Sequence, residues 1–431
     1  MSRRLLIISP KFPPVSSPDL HRVRTSLSHY RSCGWQPTVL SISPETSEGV
    51  DDPLLAESIG KDEEVVRVPA WNEALCRKFG FGLLEYRALL PLYRAGNRLL
   101  AERKYDVIFF STTAFLTLAL GPLWKSRFGT KLVYDIQDPW YHGAEDPYSP
   151  SNAPGGWARY RLSQNIAKFA ERFAMQAADG IISVSPGYID MLCRRYAFLN
   201  AGMFDIIPFG VAREDYAIAN RLNATPEIRD VRRLVSVGRG GVDMEEILAV
   251  FFSQLAALRK EKPETASSLR IDFIGTNYAS AGRSQKLVTP IAARYGLDGM
   301  VTEKSERIPY FEALAAYTAS DGILLFGSTS PDYVASKLFN CVASAKPILA
   351  MVRASSFMAK VGATFPNIRL ATFAASPEET PFADAIAEGL IDLSAVRFTE
   401  SEIKRALAPW SAETLTKRQC QLFDRACDHA A

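Results

Sequence analysis

The sequence predicts an α/β protein built from two doubly wound, Rossmann-like domains facing across a cleft. Three observations carry this. Short apolar runs alternate with helical patterns along the whole chain, which is the signature of parallel sheets covered by helices. The alternation lapses once, in the polar stretch Asn220–Asp230, and then restarts. A chain of 431 residues also exceeds what one ordinary core accommodates.

In the first half, the expected strands are Leu5–Ser9, Thr38–Ile42, Val65–Val68, Val107–Phe110, Leu132–Tyr134, Gly180–Val184 and Asp205–Ile207. Val23, Leu27 and Tyr30 give one intervening helix its apolar stripe. Trp157, Tyr160, Ile166, Phe169 and Phe173 give another. In the second half, the expected strands are Leu234–Val237, Ile271–Ile274, Gly322–Phe326, Pro347–Val352 and Leu370–Phe373. The resulting division is a first domain over 1–212, a linker over 213–230, a second domain over 231–408 and a C-terminal helix over 409–431 that returns to the first domain. Ligands of such sheets bind at the carboxyl ends of the strands.

Composition narrows the function classes. Hydrophobic residues make up 47% and charged residues 23% of the chain, as in ordinary soluble domains. A net charge of +3 gives no electrostatic case for nucleic acid as a partner. The six cysteines are scattered without a CxxC, which fits a reducing, cytoplasmic setting, and the four histidines lack ligand-like neighbours, which argues against a metal site.

The opening MSRRLLIISPKF has no small-residue cleavage site and reads as a first strand. Val107–Trp124 is uncharged, but Ser111-Thr112-Thr113 splits it into a strand and a helix, so no membrane span is expected there. Trp71–Arg103 mixes Phe79, Phe81, Leu83, Leu84, Leu89 and Leu90 with Arg77, Lys78, Arg87, Arg94 and Arg98. That mixture fits peripheral contact with a membrane near a lipid-linked acceptor, and it equally fits a packed helix pair with a solvated face.

No GxGxxG follows the first strand, and no GxxxxGK[ST], GxSxG, HExxH or DxD occurs. The chemistry must come from elsewhere. LVSVGRGGVDMEE places Arg239, Gly240 and Gly241 in a turn between a strand and a helix, where backbone and guanidinium can approach a phosphate. The stretch SPDYVASKLFNCVASAKPILA supplies a second device. A helix starting near Ser336 would offer backbone amides and Lys337 to an anion, with Asp332 and Asn340 eight residues apart.

SKLFNCVASAKPIL resembles the SKLFEYLAxGKPIL segment of GT-B glycosyltransferases of the GT4-like class, with Ser336, Lys337, Leu338, Phe339, Lys346 and Pro347 matching. KLVYDIQDPWY is similar to that family's DxRDPW segment, and ADGIISVSPGYIDML to its ADxxxxVSxxxxxxL. IIPFGV, ERIPYFEALAAYTASDGILL and PWSAETLTKRQCQLFDRA are similar to further family segments in the same order. The resemblance implies transfer of a sugar from a nucleoside-diphosphate sugar to an acceptor hydroxyl of a glycan, lipid-linked or polysaccharide precursor, with retention and with no cofactor beyond the donor substrate. It implies that Asp332, near the donor, acts in catalysis, together with Asp138 and His142 on the acceptor side. Donor binding falls to Arg239, Gly240, Gly241, Arg307, Ile308, Tyr333, Ser336, Lys337, Leu338 and Asn340.

With no DxD to hold a metal, Arg239 and Lys337 would meet the charge of the departing diphosphate. One departure stands out: Asn340 replaces a carboxylate that would grip the ribose. Two alternatives follow, a nucleotide-sugar-binding protein without transferase activity and a nucleotide-sugar epimerase, which would need no acceptor.

Overall fold

The computed structural model describes residues 2–143, 148–150, 153, 155–223, 231–240, 242–277, 285–329 and 337–428. The chain forms two compact units, Met1–Gly210 with Ala412–Ala431, and Val211–Ser411.

The first unit holds a seven-stranded sheet. Its strands are β1 (Arg3–Ile8), β2 (Trp35–Ile42), β3 (Glu64–Val68), β4 (Val107–Ser111), β5 (Lys131–Ile136), β6 (Gly180–Ser183) and β7 (Phe204–Ile206). They run parallel in the order β3-β2-β1-β4-β5-β6-β7. Successive residues point to opposite faces of a strand. Leu6 and Ile8 therefore join Leu40, Phe110 and Trp124 on one side, while Leu5 and Ile7 join Val39, Phe109 and Val133 on the other. Both faces are buried, which is why these strands read as continuous apolar runs. The helix Ala412–Asp428 covers the second face: the Phe423 ring lies 5.5 Å from that of Trp35 and 5.1 Å from that of Phe109.

The second unit repeats the design with six parallel strands, β8 (Arg232–Val237), β9 (Leu269–Ile274), β10 (Val301–Lys304), β11 (Gly322–Phe326), β12 (Ile348–Arg353) and β13 (Ile368–Phe373). Their order is β10-β9-β8-β11-β12-β13. In both sheets the order reverses at the first strand of the unit. The crevice at that reversal, beyond the carboxyl ends, is where doubly wound sheets bind ligands. All twelve strands anticipated from the sequence form. The remaining strand of these two sheets, β10, reads VTEK and pairs with β9 at the sheet edge, so half of it faces solvent and carries polar residues that hide it from an apolar search.

Three expectations change. The stretch 213–230 contains the helix Glu214–Asn220, which buries Tyr216 and Ala219 inside the second unit. A helix of seven residues is too short to show periodicity in a sequence. Residues 224–230 lie outside the described residues.

The stripe assigned to the core of helix Trp157–Gln176 is mostly outside. Tyr160 is buried, but Ile166, Phe169 and Phe173 are exposed, Phe169 by 72%. The helix instead buries Ala167, Ala174 and Met175 together with Glu171, which accepts from Tyr196 Oη at 2.8 Å and from the Tyr141 amide at 3.0 Å and pairs with Arg195. A paired acid facing inward inverts the pattern that hydrophobicity alone suggests.

In Trp71–Arg103, Arg87 is buried rather than at the surface, donating to the carbonyls of Gly82, Thr46 and Trp71. Leu84 is likewise core.

Candidate functional site

In the first unit, polar residues gather where β4 and β5 end. Asp19, on the loop after β1, is buried; its Oδ2 accepts from Thr112 Oγ1 at 3.0 Å, the Thr113 amide at 2.9 Å and Thr113 Oγ1 at 3.1 Å. Asp135, the fifth residue of β5, accepts from Arg22 Nε at 2.6 Å, Gln137 Nε2 at 2.7 Å and Ser111 Oγ at 2.8 Å. Arg22 and Asp135 are almost wholly buried, at 2% and 0% side-chain exposure. Arg22 also donates to the Ile207 carbonyl at 2.6 Å and lies over the Phe209 ring. Gln137 bridges to the Asp19 backbone, so the two acids belong to one network.

Asp138 borders this network. The residue is exposed, yet crowding around its carboxyl group and, secondarily, the like charge of Asp19 push its pKa up to about 6. His142 has other company. Its amide donates to Gln164 Oε1 at 3.0 Å, and it lines a cavity of about 340 Å³ with Lys11, Glu85, Thr113, Trp140 and Gln164. Burial raises the Glu85 carboxyl above its ordinary range.

In the second unit, β8 ends at Val237 and the chain turns at Gly238 with φ +112°, a conformation open to glycine. A Cβ at Gly238 would lie 2.9 Å from Lys337 Nζ, so any side chain there would push the lysine aside. Lys337 donates to the Val237 carbonyl at 2.9 Å. Burial holds its ammonium below the ordinary lysine range, and the Arg239 guanidinium adds to that. Arg239 itself pairs with Asp243 at 2.7 Å. The two segments expected, from separate stretches of sequence, to bind an anion thus meet at the carboxyl end of one strand.

Gly240 donates to the Thr276 carbonyl at 2.9 Å, and the Thr276 hydroxyl bonds Glu303. Glu303 also accepts from the amides of Leu287, Val288 and Thr289, tying β10 to the loop after β9 and to the segment before helix Thr289–Ala293. Arg307 is exposed, and its Cα lies 3.8 Å from where a Cβ at Gly275 would stand, beside the same turn. Ile308 follows it, half-buried.

Leu338 differs from the expectation that it binds donor: its side chain is buried in the core, which leaves only its backbone for a ligand. Asn340 is half-buried, and its carbonyl accepts from the Tyr216 hydroxyl. Gly241, Asp332, Tyr333 and Ser336 lie outside the described residues; the helix expected to start near Ser336 runs from Leu338 to Ala343, with Lys337 at its N-cap.

Sequence reasoning missed Asp19, Arg22, Asp135, Gln137 and Glu303. A signal existed for Asp135, an acid inside the apolar run KLVYDI, since a charge in a buried strand requires a partner. Nothing in the sequence marks Arg22, more than a hundred residues away, as that partner.

Residues 21–208 match the Glycosyl transferase 4-like domain family. Among solved structures, the chain is similar to sucrose-phosphate synthase from Thermosynechococcus elongatus, at 16% identity, 98% coverage of both chains and a TM-score of 0.62. It is similar to Anabaena Alr3699/HepE in complex with UDP, at 15% identity, 97% and 98% coverage and a TM-score of 0.60. It is also similar to an E. coli structure described as trehalose-6-phosphate bound with UDP-2-fluoro glucose, at 12% identity, 98% and 99% coverage and a TM-score of 0.56. No curated relative matches the chain in sequence. The chain has the GT-B fold, and residues 21–208 of its first unit resemble the glycosyl transferase 4-like domain.

Proposed function

We propose that the protein transfers a sugar from a nucleoside-diphosphate sugar to an acceptor hydroxyl of a glycan, lipid-linked or polysaccharide precursor, with retention of configuration, on the cytoplasmic side. The observation that carries the reading is the meeting of Lys337, Arg239 and the Gly238 turn at the end of β8. Two cations beside an open backbone turn suit a diphosphate. HepE and the E. coli structure were solved with UDP or UDP-sugars, which supports a uridine nucleotide as the first donor to try.

In this reading the second unit binds the donor without a cofactor or metal. Lys337 has three N–H donors and spends one on Val237, so the others can reach a phosphate oxygen. Arg239 would share the charge that develops on the leaving diphosphate, with Gly240, Gly241, Arg307, Ile308, Tyr333, Ser336 and the Leu338 amide completing the donor contacts. The leaving phosphate takes the acceptor proton. Asp332 stands near the donor sugar, while Asp138 and His142, in the first unit, orient the acceptor hydroxyl.

Binding of UDP and GDP by calorimetry tests the donor site. Lys337→Ala should weaken binding of whichever nucleotide the wild type accepts by roughly 1.5–3 kcal/mol, the range for a charged hydrogen bond. Equal binding by mutant and wild type removes the assignment.

Asn340 supports a second reading, binding without transfer, because an amide grips ribose hydroxyls less strongly than a carboxylate. That reading predicts nucleotide-sugar binding with neither transfer nor hydrolysis, whereas an epimerase would convert the donor with no acceptor present.

A further inference from the structure

The helix Trp157–Gln176 carries an apolar ridge that the fold leaves uncovered. Leu162, Ile166, Phe169 and Phe173 recur at i, i+4, i+7 and i+11, so they share one face, and all four are exposed. Beside the ridge, Arg161, Lys168 and Arg172 recur at i, i+7 and i+11 and form a parallel cationic row; Arg159 flanks the other side. The helix has one acid, Glu171, and it is buried against Arg195 and Tyr196. Every exposed charge on this helix is therefore positive.

The ridge continues onto the neighbouring segment. Arg159 donates to the Gly80 carbonyl at 3.0 Å, and Leu83 and Ile166 line the same cavity. On that segment Trp71, Leu75, Phe79, Phe81 and Leu83 are exposed, with Lys78 and Arg77 at the end of helix Glu73–Lys78, Arg77 paired with Glu73 of the same helix. Two stretches far apart in sequence thus form one apolar and cationic face of the first unit.

We propose that this face docks on an anionic lipid bilayer. Aromatic and aliphatic side chains bordered by Arg and Lys suit the boundary between headgroups and acyl chains, where both kinds of group are satisfied. The absence of exposed acid along the helix Trp157–Gln176 selects anionic over neutral lipid, since each basic residue near such a surface adds attraction. An apolar groove for a second copy would not need that row of like charges, which would repel its own image across a symmetric contact. The cavity that holds His142 opens among Leu83 and Ile166 of this face, so an acceptor carried by a membrane lipid would present its polar end there. The proposal deepens the lipid-linked form of the acceptor reading, and membrane binding is measured with no sugar transferred.

The test is co-flotation of the full chain with phosphatidylcholine vesicles, with and without phosphatidylglycerol, at low and high salt. The protein should float with the anionic vesicles at low salt only. Phe169→Ser with Phe173→Ser, and separately Arg161→Gln with Lys168→Gln and Arg172→Gln, should each reduce flotation by about tenfold or more. UDP binding and thermal unfolding should match wild type, because these side chains are exposed. Wild type that stays unbound to anionic vesicles at low salt overturns the proposal, as does unchanged flotation of both variants. A dimer in sedimentation that the phenylalanine variant dissolves, with no vesicle binding, would instead make the face a contact between copies. Flotation in a protein that binds no nucleotide would leave the docking face standing and remove only the transferase reading.

Discussion

Around Asp138, at the carboxyl end of the first sheet, stand Asp19, Asp135 and Arg22, with Lys11 and Glu85 in the neighbouring cavity; around Gly238, at the same end of the second, stand Lys337, Arg239, Arg307 and Asp243, with Glu303 in the adjoining loop network. The scaffold is the same, but acids predominate around Asp138 and bases around Gly238. In the first unit Arg22 is buried and engaged by Asp135 and the Ile207 carbonyl, so it organises the wall rather than meeting a ligand. In the second unit Lys337 approaches the Gly238 turn, and Arg239 follows that turn, paired with Asp243. An acidic wall suits a hydroxyl that must be held as an acceptor; a basic one suits a diphosphate that must be held as a leaving group.

The most direct way to break this contrast is to unpair the buried ion pair. Arg22→Ala should cost about 3–5 kcal/mol, because it strands the Asp135 carboxylate in the interior. Urea unfolding followed separately for each unit should show the loss in the first unit's transition and leave the second unchanged. A loss shared equally by both transitions would mean that the pair is not local to its wall.

Asp138→Ala should lower turnover by at least about a hundredfold while leaving nucleotide binding intact. His142→Ala should have a smaller effect of the same kind. The pH profile sharpens the assignment. With its pKa pushed up to about 6, Asp138 becomes a carboxylate as pH rises through that value, so kcat should climb over the same window. Asp19→Asn removes a neighbouring negative charge, lowers the Asp138 pKa and should move the rising limb to lower pH. A limb that stays in place or moves upward would show that another group titrates.

Glu303 offers a test on the second unit alone. Burial pushes its carboxyl up, but hydrogen bonds from Thr276 and from the Thr289 and Leu287 amides outweigh this and hold it below the ordinary range. An acid with a depressed folded pKa adds stability that is complete above its unfolded value of about 4.3 and is lost as pH falls through the folded value. The second unit should therefore lose stability below about pH 4.3, and Glu303→Gln, by weakening the loop bonds, should cost about 1–3 kcal/mol at neutral pH. If the mutant's stability falls with acid as steeply as wild type's, a different carboxylate is responsible.

The smallest expected effect comes from Ala345, which has φ +53° after the helix Leu338–Ala343 and stands where the family segment has glycine. Relief of the left-handed strain outweighs the added chain entropy of glycine only slightly. Ala345→Gly should thus stabilise the second unit by about 0.5 kcal/mol, read as a small rise in its Tm.

The strands were legible in the sequence because both faces of each sheet are buried, which turns a strand such as LLII into an uninterrupted apolar run. Edge position obscured β10, since VTEK needs apolar residues on only one side. The proposed donor site was partly legible: glycines and a lysine carry their chemistry in short segments, and folding only had to bring Lys337 to Gly238. The proposed acceptor side was much less so. Asp138 and His142 could be named from the loop after β5, but the groups that set their environment, Asp19, Arg22 and Gln164, come from a different loop and two helices. Helix Trp157–Gln176 misled because hydrophobicity cannot distinguish an apolar face turned to the core from one turned outward; the buried Glu171 decides it, and only through Arg195 and Tyr196.

The C-terminal helix has a consequence for the order of events during synthesis. Phe423 and Leu422 close the second face of the first sheet, yet they are translated after every residue of the second unit. The second unit can thus be complete on the ribosome while the first, begun hundreds of residues earlier, still has Phe109 and Trp35 uncovered. Its apolar face remains open for the whole interval in which Val211–Ser411 is made. In this chain the domain that starts first finishes last, with that apolar face uncovered throughout the wait.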